Sequence, residues 1–104
     1  MTRLALPQRR HAEAFEFEHD GIRYRASISR ASPLEGPPVE IFVEGGKPGS
    51  NVQALARDCA VLASLALQFG CPVETIQKAL TRVDDATPAG PMGRVMDELV
   101  RVNA

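Results

Sequence analysis

Residues 14–29 read AFEFEHDGIRYRASIS, and the fold turns on how this stretch is read. Phe15 and Phe17 alternate with Glu16 and Glu18, the period-2 pattern of a strand with one buried face. Asp20-Gly21 is the dipeptide favoured in two-residue hairpin turns, because both central positions need positive φ. The return strand puts Ile22, Tyr24, Ala26 and Ile28 on one face and Arg23, Arg25, Ser27 and Ser29 on the other. A turn at Asp20-Gly21 fixes the register: Glu18 opposite Arg23, Phe17 opposite Tyr24, Glu16 opposite Arg25. Apolar pairs then share one face and opposite charges the other. Slippage by one residue would scramble every pair.

Ala31–Pro38, with three prolines and a glycine, reads as a loop. Val39–Val43 reads as a third strand, with Val39, Ile41 and Val43 inward and Glu40, Phe42 and Glu44 outward. Phe42, an aromatic on the charged face, is a candidate for covering a sheet edge or for an interface. Gly45-Gly46-Lys47-Pro48-Gly49 breaks the chain before a long helix that starts at Ser50, with Gln53 placed for a capping box. Leu55, Cys59, Leu62, Ala66 and Phe69 follow alternating +4 and +3 steps and are expected to form its buried stripe. Val61 and Leu65 add a second apolar flank. Such a helix is expected to lie in the middle, with the sheet on one side and other helices on the opposite side.

Gly70 is the expected C-cap, and Pro72 starts a second helix carrying Val73, Ile76, Ala79 and Leu80 on its buried side. Asp84–Gly90 reads as a loop, and a third helix from Pro91 buries Met92, Val95, Met96 and Leu99. The expected organisation is a basic arm over residues 1–13 and one domain over residues 14–104. The arm, with Arg3, Arg9, Arg10 and His11, shows no regular period and reads as flexible. Docking on phosphate is its alternative role.

The whole chain is 104 residues with a net charge of −1, so one modest core is expected and no global field draws in nucleic acid or anionic membrane. Apolar residues at 44% and charged residues at 24% exclude a disordered chain. Cys59–Leu67 is about half a membrane span in length. Met1–His11 lacks the apolar core of a secretory signal, which points to the cytoplasm. A four-ligand zinc site would need both cysteines and both histidines.

Cys59 sits within the helical stripe and reads as a packed apolar residue. Cys71, ahead of Pro72 at a helix start, is placed where a thiol pKa can fall; a small residue filling an interhelical turn is the plainer reading. By helical rise the two lie roughly 18 Å apart, too far for a disulfide. His19 reads as a solvated strand end, and Asp84-Asp85 as a solvated loop. The helix start after Gly49 is the one place with binding chemistry: free amides beside Lys47 attract anions, which makes Lys47, Gly49, Ser50 and Asn51 the candidate site. No nucleophile elbow, Walker motif or dinucleotide fingerprint is present, so no catalytic residue, metal or cofactor is assigned.

Three motifs carry a family resemblance. These are Gly46-Lys47-Pro48-Gly49-Ser50, the small and apolar helix Asn51–Phe69, and the helix start Gly70-Cys71-Pro72-Val73-Glu74-Thr75-Ile76. Within Glu40–Leu80 they resemble the TSCPD domain found near the C-terminus of cobalamin-dependent ribonucleotide reductases. The catalytic barrel and the cysteine-rich tail of those enzymes are missing from 104 residues. The resemblance therefore implies a freestanding accessory or regulatory binding module, not a reductase. Its implied partner is a ribonucleotide reductase or a nucleotide. The alternative is a protein-interaction module that forms a homodimer through Phe42 and its sheet face or edge. The expected fold is α+β: a three-stranded antiparallel sheet packed on a long helix with two further helices.

Overall fold

The computed structural model describes residues 12–31 and 36–103. Residues 1–11 of the basic arm, and Ser32–Glu35 of the proline-rich loop, lie outside the described residues. Strand β1 (Ala12–His19) pairs antiparallel with β2 (Ile22–Arg30), and β2 with β3 (Pro38–Gly45), in the order β1-β2-β3. The register is the predicted one: Glu18↔Arg23, Phe17↔Tyr24 and Glu16↔Arg25. Asp20 and Gly21 both take positive φ, 51° and 76°, as the two-residue turn requires. β1 begins two residues ahead of the alternation, at Ala12.

Tyr24, Ala26, Ile28, Ile41 and Val43 make the buried sheet face, with Phe15 and Phe17 packed against it. Phe17 stacks on Tyr24 with ring centroids 5.3 Å apart. The opposite face carries Glu16, Arg23, Arg25, Phe42 and Glu44, all exposed, and Arg23 donates to Glu16 at 3.2 Å. Charge on that face and apolar side chains on the other leave a single side for the helices.

Helix α1 (Asn51–Gln68) packs on β3. Ser50 is its N-cap and accepts the Gln53 amide at 3.2 Å, while Gln53 Oε1 accepts the Gly49 amide at 2.8 Å. At the other end Gly70, at φ 94°, closes a Schellman turn in which Cys71 donates to the Ala66 carbonyl and Gly70 to the Leu67 carbonyl. Helix α2 (Val73–Ala79) and a short hairpin, β4 (Arg82–Asp84) with β5 (Thr87–Pro88), lead into α3 (Pro91–Asn103). The turn and second strand of this hairpin fall where sequence reading placed only a loop. On α3, Met92, Val95, Met96 and Leu99 are all buried, as their spacing predicts. α3 runs beside β1: Arg94 meets His19, and Leu99 and Val102 share a cleft with Glu13 and Phe15. α2 is tied to α3 through Asp97, which accepts from Gln77 at 2.9 Å and from both terminal nitrogens of Arg82 at 3.1 and 3.2 Å.

The orientation of α1 departs from the predicted one. Its buried residues are Ala56, Ala60, Ala63, Ser64, Leu67 and Gln68. Leu62 is 67% exposed, Leu55 59% and Val61 53%, and Cys59 is also exposed. The cause lies in the polar pair among the small residues. Ser64 Oγ accepts the Ile41 amide at 2.8 Å and lies 3.1 Å from the Ile41 carbonyl, while Gln68 Nε2 donates to the Val39 carbonyl at 2.9 Å. These backbone groups face away from β2 on an edge strand, where they would otherwise invite another chain. α1 therefore seals the β3 edge, and only small side chains let a helix axis come close enough for a serine to reach. Helices α2 and α3 lie beside α1 rather than behind it.

Candidate functional site

Because Ala56, Ala60, Ala63, Ser64, Leu67 and Gln68 fill the buried side of α1, most of its larger apolar residues face outward. Leu55, Leu62, Leu65 and Phe69 share one face and leave exposed surface equal to about two whole side chains, on the order of 400 Å², while Val52 and Val61 lie on its opposite flanks. A typical monomer's largest apolar patch spans roughly 300–600 Å² and often has a function. The stripe from Leu55 to Phe69 runs about 21 Å by helical rise, and Asp58 is the charged residue within it.

An apolar cavity of about 310 Å³ opens along the flank of this stripe. Val52, Leu55 and Cys59 of α1 form one wall, Leu80 and Met92 another, and Tyr24 lies in its floor. Burial raises the Tyr24 pKa above its ordinary value, with a smaller push from Asp20.

Lys47, Gly49, Ser50 and Asn51 cluster at the start of α1. Gly49 has φ 80°, and Ser50 donates its amide to the Lys47 carbonyl at 3.0 Å. The cap engages the Gln53 amide, so Asn51 and Val52 keep the amides without an intrahelical acceptor. The first turn holds no acidic residue, and Lys47 is exposed. Phe42, 56% exposed, stands on the outer sheet face opposite Ser27, away from the α1 stripe.

His19 is not a solvated strand end. It is buried, donates from Nε2 to the Ala89 carbonyl at 3.0 Å, and accepts Arg94 Nε at Nδ1 at 2.8 Å. Both ring nitrogens are committed, so His19 ties β1 to α3. Cys71 is partly buried, and its thiol lies 3.7 Å from the Pro72 carbonyl. Among the described residues, no three His, Cys, Asp or Glu side chains gather as metal ligands, and no helix is long and apolar enough to cross a membrane.

Residues 6–102 match the TSCPD domain family, nearly the whole chain. The chain belongs to the TSCPD domain family. No curated protein and no solved structure matches it. The TSCPD match extends well beyond the three motifs and takes in the hairpin and α3. Within this TSCPD domain sequence reading missed the buried His19 as well as the outward α1 stripe. The available signal was the set Ala56, Ala60, Ala63 and Ser64, small residues on one helix face.

Proposed function

We propose that this TSCPD domain is a non-catalytic docking module associated with ribonucleotide reduction, and that it docks on protein through the outward face of α1. What supports the reading is one observation: six large apolar side chains stay exposed on a helix whose fold contacts are made by alanine, serine, leucine and glutamine. Carrying them uncovered in water is unfavourable, and burying each whole apolar side chain is worth roughly 1.5–3 kcal/mol. The family supplies the setting. The test is the assembly state of the wild-type chain, alone and mixed with purified cobalamin-dependent reductase lacking its own TSCPD domain, against Leu62→Glu. Wild type is expected in a complex that Leu62→Glu loses while its helix content is unchanged. Wild type at the single-chain mass of 11.2 kDa under both conditions overturns the reading.

A second reading concerns the start of α1, where the Asn51 and Val52 amides and exposed Lys47 suit an anion such as a nucleotide phosphate. Calorimetric heat with nucleoside diphosphate or triphosphate, lost in Lys47→Glu, supports it. Absence of heat with wild type at millimolar ligand removes it.

A further inference from the structure

The apolar cavity beside α1 is held open by close packing behind its walls. Tyr24, in the floor, lies so tightly over Gly45 that a Cβ on that residue would strike the ring. Gly93 lies against Pro88, where a Cβ would stand 2.7 Å from the proline Cβ, and this contact pins the start of α3 and with it Met92. Val52 and Leu55 close the α1 side. The enclosed volume, about 310 Å³, reaches the range of small-molecule pockets, which begin near 300 Å³ and are mostly preformed.

Its lining defines the guest. Among the described residues no charged side chain borders the cavity, and Tyr24, Cys59 and Thr81 supply its polar groups. A charged guest would be desolvated there with no counter-charge, so a neutral one is favoured. Tyr24 marks where the guest is held. It is 4% exposed, yet its hydroxyl makes no hydrogen bond among the described residues. Buried tyrosines usually find a partner. The hydroxyl is not sealed in either, because Arg82 Nε is the sole enclosed side-chain polar atom without a partner among the described residues. The oxygen therefore keeps an opening, and the cavity is the space that Tyr24 borders. Burial pushes its pKa up, so it stays protonated at neutral pH and has a proton to donate. Size sets the rest. An apolar cavity of ~150 Å³ admits benzene, and about twice that volume suits a molecule of two rings.

We propose that this cavity binds a small neutral molecule of about two rings, apolar except for one acceptor that takes a hydrogen bond from the Tyr24 hydroxyl. The proposal goes beyond the docking reading, since Leu62 is no part of the cavity wall. The test titrates the full chain with 1-indanone, followed by NMR of the side-chain methyls, with indane as the counterpart that lacks the carbonyl. Indanone should shift the Val43 and Met92 methyls saturably, at millimolar concentration or below. Tyr24→Phe should weaken indanone about fivefold, leave indane unaffected and leave the unfolding midpoint in place, because the hydroxyl it removes has no partner in the fold. In a Cys71→Ala background, bound indanone should slow alkylation of Cys59, whose exposed thiol borders the same space. Absence of a saturable shift overturns the proposal, as does equal affinity for indanone in Tyr24→Phe. Shifts that spare Val43 and Met92, or an unchanged Cys59 alkylation rate, also overturn it, because they place the molecule elsewhere. Leu62→Glu separates this site from the docking face. It should lose the protein complex and keep indanone; loss of indanone there puts the molecule on the outer stripe and overturns the proposal.

Discussion

Ser64→Ala removes one oxygen and tests how α1 is held to the sheet. That oxygen is the acceptor for the Ile41 amide at 2.8 Å, at a strand position only 1% exposed. Without it the amide is buried with no partner, a cost of roughly 1–3 kcal/mol. Alanine is the better helix former by up to about 0.5 kcal/mol, which offsets part of the loss. The Ala60 carbonyl, which lies 2.8 Å from the hydroxyl, keeps its own helical bond and adds little. The net loss is about 1–2 kcal/mol, a large fraction of the ~5–15 kcal/mol that holds a small domain together. With a urea slope near 1 kcal/mol per molar, the midpoint should fall by about 1–2 M. The measurement belongs in the Leu62→Glu background, where self-association adds no concentration dependence. Native-state hydrogen exchange supplies the local readout, since the Ile41 amide should lose protection beyond the global change. A midpoint within about 0.3 M of the parent, or an Ile41 amide exchanging as before, would refute the sealing of the β3 edge by α1.

Other substitutions probe separate joints of the molecule. Gly21→Val should destabilise by more than a typical surface change, because φ 76° is strained for a β-branched residue, and an unchanged thermal midpoint would reassign the turn. Ser50→Ala should cost roughly 1 kcal/mol through the lost cap whatever binds at the helix start, read from urea midpoints. Asp97 is held below the usual carboxylate range by its hydrogen bond from Arg82, with Gln77 adding to it. Its folded pKa is depressed, so on acidification the unfolded chain takes up that proton first. The stabilisation is fully present above the ordinary value near 3.8 and is lost as pH falls through the lower folded value. Asp97→Asn should therefore be less stable than wild type at neutral pH, with the gap narrowing below pH ~4; a gap independent of pH would contradict the assignment.

The parts legible in the sequence are those where local rules and tertiary contacts agree. Asp20-Gly21 set the hairpin register because only one pairing puts Phe17 on Tyr24 and Glu16 on Arg25. Gly70 ended α1 because the Schellman turn needs positive φ there. α3 was legible because Met92, Val95, Met96 and Leu99 recur at helical spacing, with Arg94, Asp97, Glu98 and Arg101 at other positions. α1 was not, and the reason is physical. Between Cys59 and Leu67 it is apolar almost all round, so periodicity does not say which side is inside. The larger side chains drew the assignment, yet the sheet edge selected the side offering a serine and a glutamine at the right height. His19 was misread for a related reason. Both its partners, the Ala89 carbonyl and Arg94, lie at least 70 residues away, beyond any local signal.

The two sides of α1 answer to different constraints. Ala56, Ala60, Ala63, Ser64, Leu67 and Gln68 secure the fold, whereas Leu55 and Leu62, each more than half exposed, contribute little to it. Changes at Leu55 and Leu62 are therefore expected to weigh little on the folding equilibrium and most on docking. Such a helix can acquire a new binding specificity, by selection or by design, through substitutions that the rest of the chain does not have to accommodate.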